Sequence, residues 1–158
     1  MKKLDMGAQT PQETESQYAA LCFRRTGKNE HEVLLITSRD TGRWVIPKGW
    51  PMKGKSGSQC ALREAFEEAG VEGLPWPMPI GVYAYDKVLT AGVQPCIVSV
   101  YPVEVDRMRN EFPEKGQRER KWFKPKKAAE KVDEPELRSL IKSFDPGKAG
   151  KALGSSDA

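Results

Sequence analysis

A chain of 158 residues is long enough to bury one useful core, and one domain is the expectation. With 38% hydrophobic and 30% charged residues it has the composition of a soluble globular protein, and no apolar run approaches the ~20 residues needed to span a bilayer. The formal charge of +4 suits an anionic ligand, and the single histidine, His31, leaves no material for a Ser-His-Asp or histidine-metal mechanism.

Residues 1–16 are polar and without periodicity, and are expected to be disordered. They lack the apolar core of a secretion signal. Cys22, Cys60 and Cys96 are odd in number and match no zinc or redox spacing. They read as small buried side chains in a reducing cytoplasm.

From Tyr18 three apolar runs follow: YAALCFRR, EVLLITSR and TGRWVIP, the last ended by Pro47. Their β-branched and aromatic content, bounded by GKNEH and SRDTGR, predicts strands joined by turns. Next comes a glycine- and lysine-rich loop, PKGWPMKGKSG, leading into a helix. Ser56 and Gln59 have the spacing of a capping box, and Gly70 stands where a left-handed C-terminal cap is needed.

On that helix Arg63, Glu64, Glu67 and Glu68 spell R-E-x-x-E-E. At ~3.6 residues per turn, Glu64, Glu67 and Glu68 share one face, and Arg63 reaches Glu67 four positions on. Leu62, Ala65, Phe66 and Ala69 fall mainly on the opposite, core-facing side. Three carboxylates on one face repel one another. A hard divalent cation with oxygen ligands relieves that conflict, and Mg²⁺ commonly takes one or two carboxylates together with substrate phosphates.

After the helix, 73–79 holds three prolines and one tryptophan and is expected to be a loop. IGVYAYDKVL and VQPCIVSVYPVEV predict two longer strands turning at Thr90-Ala91-Gly92, with Pro95 and Pro102 suggesting a partly edge position for the second. A charged, irregular stretch from Asp106 to Arg120 precedes a short strand, KWFK, and a short helix, KKAAEKV, opened by Pro125. Leu137, Leu140, Ile141 and Phe144 recur at helical spacing, so DEPELRSLIKSF docks as an amphipathic helix. A flexible tail is expected over 145–158. The order of strands, helix, strands and helices predicts an α/β (α+β) domain over 17–144, a mixed sheet sandwiched between helices.

Gly49, Arg63, Glu64, Ala65, Glu67, Glu68, Gly70 and Val71 fit the pattern G-x5-E-x7-R-E-U-x-E-E-x-G-U. The chain thus resembles the Nudix family, whose fold is the one just described and whose members cleave diphosphate linkages with Mg²⁺ or Mn²⁺. One position departs, Lys55 standing where the pattern has Glu. The resemblance implies Glu67 and Glu68 as metal ligands, with Glu64 as third ligand or as the group that orients the water. It implies the Gly49 carbonyl as a further ligand and a loop acid to complete the set, Glu114 ahead of Glu119. Arg63 would hold the loop and carboxylates in place.

The first three strands and QRERKWF look like diphosphoinositol polyphosphate phosphohydrolases, while Pro47-Lys48-Gly49 looks like dinucleoside polyphosphate hydrolases. Either implies an anionic small-molecule substrate with several phosphates. Arg24, Arg43, Lys48 and Lys53 are candidate phosphate contacts, with Trp50 a candidate shelf for a base. Arg25, Arg39, Lys55, Arg118 and Arg120 are further cations near strand ends or the box loop. Two other functions remain open, a non-catalytic binding module of the same fold and an enzyme acting on RNA 5′ ends. The latter would interleave basic residues with stacking aromatics more densely than this chain does. Neither membrane nor nucleic acid is an expected partner, and oligomeric state is not legible.

Overall fold

The computed structural model describes residues 13–147. In chain order its strands are β1 (Glu15–Gly27), β2 (Glu30–Thr37), β3 (Trp44–Val45) and β4 (Lys48–Gly49). Helix α1 (Gly57–Ala69) follows, then β5 (Val71–Pro75), β6 (Gly81–Leu89), β7 (Gly92–Met108) and β8 (Arg120–Phe123). Helices α2 (Pro125–Lys131) and α3 (Pro135–Ser143) come last. The sheet runs β3-β2-β1-β7-β5, with β4 added to β1, β6 to β7 and β8 to β2. Only β1 and β7 run parallel, from Glu15 opposite Cys96 to Phe23 opposite Glu104; the other pairings are antiparallel.

Alternation along β1 divides the core between two layers. Ala20 and Cys22 face α1, together with Leu34, Ile36, Ala61, Ala65, Ala69 and Val103. Ala19, Leu21 and Phe23 face the opposite way, toward α2 and α3, with Leu137, Ile141 and Phe144. Helices thus cover both faces of a mixed sheet. Each fully buried Leu, Ile or Phe contributes roughly 1.5–3 kcal/mol by leaving water, so the two layers carry most of the stability. Cys22, Cys60 and Cys96 are all buried free thiols within this packing.

Several elements differ from expectation. β1 begins at Glu15, inside the stretch expected to be disordered, because β7 supplies it with a parallel partner from Cys96 onward. The disorder expected before residue 13 and the flexible tail expected after 147 lie outside the described residues. Residues 73–75 belong to β5 rather than a loop, since β7 pairs them. At Gly73 a side chain would collide with the Glu104 carbonyl, at 2.1 Å. Trp76 leaves that segment to pack into the core against Phe23 and Phe144. Strand β7 is central, not an edge. Its prolines fall where one neighbour is missing: Pro95 precedes the pairing with β1, and Pro102 lies between the segments paired with β6 and β5. His31 lies in β2 rather than a turn and packs edge-on against Phe144.

Candidate active site

Helix α1 starts and stops as its sequence dictates. Ser56 Oγ accepts from the Gln59 backbone N–H, the Gln59 side chain accepts from the Ser56 N–H, and Gly70 adopts φ 71°. Such a cap contributes about 1 kcal/mol and fixes the first turn. At the other end the Arg120 guanidinium donates to the Ala69 carbonyl at 2.7 Å, and the Glu114 backbone N–H donates to the Glu67 carbonyl at 3.0 Å. The loop after β7 and the first residue of β8 thus cap the last turn of α1, and the loop brings Glu114 to the helix's acidic face.

Strand β4 sets the other wall. Tyr18 pairs with Gly49 and Ala19 with Lys48, which holds the Gly49 backbone against α1. A Cβ at Gly49 would lie 2.3 Å from the Glu64 carboxyl carbon, so only glycine permits this approach.

The carboxylates meet in one place. Glu64 and Glu68 hydrogen-bond to each other, and Glu68 is only 8% exposed. Burial, followed by the bond from Glu64, raises the Glu68 carboxyl to about 8. Glu64 is also raised, chiefly by burial, while its bond to Glu68 opposes the shift. Arg118 stands among the acids: it bonds Glu114 at 3.0 Å and the Thr37 carbonyl at 3.1 Å, and lies 3.8 Å from Glu68. Arg63 Nε bonds Glu67 Oε2 at 2.6 Å.

Beside the carboxylates, Lys48 of β4 meets Tyr85 of β6. Lys48 Nζ lies 4.8 Å from the centre of the Tyr85 ring, a cation–π contact, and Tyr85 donates to the buried Gln17 side chain at 2.7 Å. The Lys48 ammonium is lowered below its ordinary value, first by burial, with Glu68, Lys87, Arg43 and Glu134 all close enough to act on its charge. Arg43 is close enough to act on the Lys48 charge and is held by Glu134 at 3.0 Å and Asp133 at 3.5 Å.

The candidate residues therefore separate. Glu64, Glu67, Glu68, Gly49, Arg63 and Glu114 come together, with Lys48 next to them. Glu119 is exposed and engaged through its backbone with Thr37. Trp50 is 42% exposed, immediately after Gly49, and Lys53 is exposed in the same loop. Arg24 is engaged elsewhere: it bonds Glu32 at 2.7 Å and lies over Trp122. Arg25 is similarly taken by Glu104, and Arg120 by the end of α1. Sequence reasoning placed Arg118 among possible phosphate contacts, whereas the fold makes it a holder of carboxylates. Tyr85, Lys87, Gln17 and Glu134 were not singled out. The alternation Tyr83, Tyr85, Lys87 along β6 was the available signal, but only the folded chain sets Tyr85 beneath Lys48.

The donor set suits a hard divalent ion. All its side-chain groups are carboxylates, and a hard cation would relieve the repulsion among them. Among the described residues no group of three or more histidine, cysteine, aspartate or glutamate side chains is placed so as to hold a metal ion. The carboxylates are instead turned to one another, to Arg63 and to Arg118.

Residues 15–144 match the NUDIX domain model. An Arabidopsis thaliana protein named Nudix hydrolase 12, mitochondrial, is 31% identical over 106 residues, 65% of this chain and 52% of that protein. The human diphosphoinositol polyphosphate phosphohydrolase 3-alpha is 41% identical over 64 residues, 40% of this chain and 38% of its own length. The chain thus spans about half or less of the length of these relatives. Among solved structures, a Nudix hydrolase from Nitrosomonas europaea superposes with a TM-score of 0.64 at 20% identity, covering 88% of this chain and 91% of that one. A C. elegans Ap4A hydrolase superposes at 0.57 and 17% identity, covering 82% and 95%. The last two establish the shared fold. With the domain matched from the first strand to the end of the last helix, and with the glycine, arginine and glutamates of the box assembled around one another, the chain belongs to the Nudix family.

Proposed function

We propose that this chain is a pyrophosphohydrolase that uses a divalent metal, Mg²⁺ or Mn²⁺, to cleave a diphosphate linkage in a small molecule carrying several phosphates. The observation that carries this reading is the Glu64–Glu68 carboxyl pair, buried against Gly49 and adjoined by Glu67, Glu114 and Lys48. Nudix hydrolases generally use divalent metals. Glu67, Glu68 and Glu64 would hold the ion, with the Gly49 carbonyl and Glu114 completing the set. When bound, the ion neutralises phosphate oxygens and lowers the pKa of an attacking water.

The chain's own residues supply the rest. Glu64, fixed by the close approach of Gly49, orients the water and accepts its proton. Arg118 keeps Glu114 and Glu68 together as the charges change. Lys48, set on Tyr85, meets the phosphate chain where it enters from the β6 side, with Lys87 close enough to add to the potential. Trp50 offers a flat apolar surface beside the metal site.

The substrate class is a diphosphoinositol polyphosphate or a dinucleoside polyphosphate. The local likeness to diphosphoinositol polyphosphate phosphohydrolases supports the first. The exposed Trp50, together with the engagement of Arg24 and Arg43 by acids, supports the second, because a base needs a shelf while an inositol ring needs cations on several sides. No helix among the described residues is long and apolar enough to cross a membrane, and a cytoplasmic location accords with three free thiols. The test is a panel of diphosphate compounds incubated with Mg²⁺ and Mn²⁺, with released phosphate and nucleotide measured. Turnover abolished by chelator and by Glu68→Gln supports the proposal. Tight binding without any cleavage would instead identify a binding module.

A further inference from the structure

Two polar side chains are buried among the described residues, Glu68 of the acidic cluster and Gln17, which is 3% exposed. Gln17 lies on β1 in a row whose next members, Ala19, Leu21 and Phe23, are apolar and face α2 and α3. An amide in such a row is costly unless it is hydrogen-bonded. Its oxygen accepts the Tyr85 hydroxyl at 2.7 Å. Tyr85 stands opposite Cys96 on β7 and Gln17 stands opposite Val98, so the hydroxyl reaches across β7 from β6, which pairs with β7 alone, to β1. The ring is thereby laid toward β1, where Lys48 pairs with Ala19. Lys48 Nζ lies 4.8 Å from the centre of that ring. Lys48 forms no salt bridge among the described residues, and the face of Tyr85 is what receives its ammonium.

We propose that Gln17 is a positioning residue for phosphate recognition: by accepting the Tyr85 hydroxyl it fixes the Tyr85 ring as the seat of the Lys48 ammonium, which then meets a phosphate chain from one place. A lysine stem is flexible, and an unseated ammonium must be ordered at each binding event. A tyrosine on an edge strand likewise has other staggered rotamers open to it, and the bond to a buried amide excludes them. The choice of an aromatic seat matters. A ring face attracts the ammonium without the negative charge that a carboxylate partner would bring, so the positive potential offered to phosphate is kept. Gln17 touches neither phosphate nor metal and acts through Tyr85. This rests on the reading of Lys48 as a phosphate contact, but the seating of Lys48 can be tested without any ligand.

The full chain, carrying isotopically labelled lysine and kept in chelator, is followed by NMR, with Lys48→Arg assigning the Lys48 signal by its disappearance. The ε-methylene protons of a lysine lying on a ring face are shifted upfield by the ring, and Tyr85→Leu is expected to abolish that shift. Tyr85→Phe keeps the ring and loses the hydroxyl. That variant and Gln17→Leu are each expected to lose about half of the shift or more, and the double variant no more than either alone, because both break the same bond. Tyr85→Phe breaks it without touching the buried amide, so it decides the matter if Gln17→Leu does not fold. A native shift in Tyr85→Phe, or no upfield shift in the native protein, overturns the proposal. Inorganic tripolyphosphate is then titrated into each protein. It is expected to move the Lys48 signal, and Tyr85→Phe and Gln17→Leu are expected to weaken its binding about 3-fold, the scale of one cation–π contact. In a Lys48→Met background neither should weaken it further. The same loss in that background means that Gln17 and Tyr85 act without Lys48, and overturns the proposal. If tripolyphosphate leaves the Lys48 signal unmoved, Lys48 is no phosphate contact and the role in phosphate recognition falls, while the ring shifts still decide whether Gln17 and Tyr85 seat it.

Discussion

The carboxyls of Glu64 and Glu68, one helical turn apart on α1, lie against each other, and burial raises both above the ordinary carboxylate range. Burial disfavours two negative charges so close together, and the Glu68 carboxyl is raised from 4.5 to about 8. In an unfolded chain the same group ionises near its ordinary value. Between those two values the folded protein holds a proton that the unfolded one has lost. Stability therefore falls as pH rises through this window.

A melting series in chelator at pH 5, 6, 7 and 8 is expected to show this decline, full stability from this group being present at or below pH 4.5. Glu68→Gln cannot ionise and should flatten the profile. A native protein whose melting temperature rises steadily over that range would contradict the protonated pair.

Metal should reverse the loss. If Mg²⁺ or Mn²⁺ binds these carboxylates it would compete with protons for them, so the gain in melting temperature on adding ion should be larger at pH 8 than at pH 6. Turnover should require the ion. Glu67→Gln and Glu68→Gln should each lose at least ~10²-fold in rate, corresponding to about 2.7 kcal/mol of charge stabilisation. Either variant working at the native rate in chelator would end the assignment.

Gly49→Ala tests the close packing of β4 on α1. The added methyl would meet the Glu64 carboxyl at 2.3 Å, and Glu64 must move. Displacements of this size cost about 10²-fold in rate when they shift a reacting group by ~1 Å. kcat should fall steeply while the circular dichroism spectrum stays native. An unchanged kcat would mean that Glu64 has no role in the chemistry.

The cations now divide into two groups with different expected phenotypes. Lys48→Met should raise KM most for the substrate with most phosphates, and the discrimination should weaken at high salt, where exposed charges are screened. Arg24→Met should leave kinetics unaltered and cost about 1 kcal/mol at most, the scale of an exposed ion pair with a cation–π contact. Steady-state kinetics over substrates of two to five phosphates, with melts of both variants, separates the two. A KM effect at Arg24 equal to that at Lys48 would make Arg24 a phosphate contact after all.

Much of α1 was legible before any coordinates. A capping box, a left-handed glycine cap and the 3.6-residue repeat act over a single turn, so the residues themselves determine where the helix starts, where it ends and which carboxylates share a face. The amphipathic stripe of α3 and the alternation along β1 and β2 were legible for the same reason, since one buried face imposes one period. What remained hidden depends on partners distant in sequence. Strand β5 has no pattern of its own and exists because β7 offers it a ladder; the Lys48–Gly49 strand is two residues long and is defined by β1. A charged side chain looks the same in sequence whether it meets a phosphate or a carboxylate. Only the folded chain decided that Arg24 goes to Glu32, Arg43 to Glu134 and Arg118 to Glu114, leaving Lys48 on Tyr85 beside the acids. Local backbone chemistry acts within a few residues and can be read along the chain, whereas ion pairing and strand pairing are settled by which distant segments the fold brings within reach.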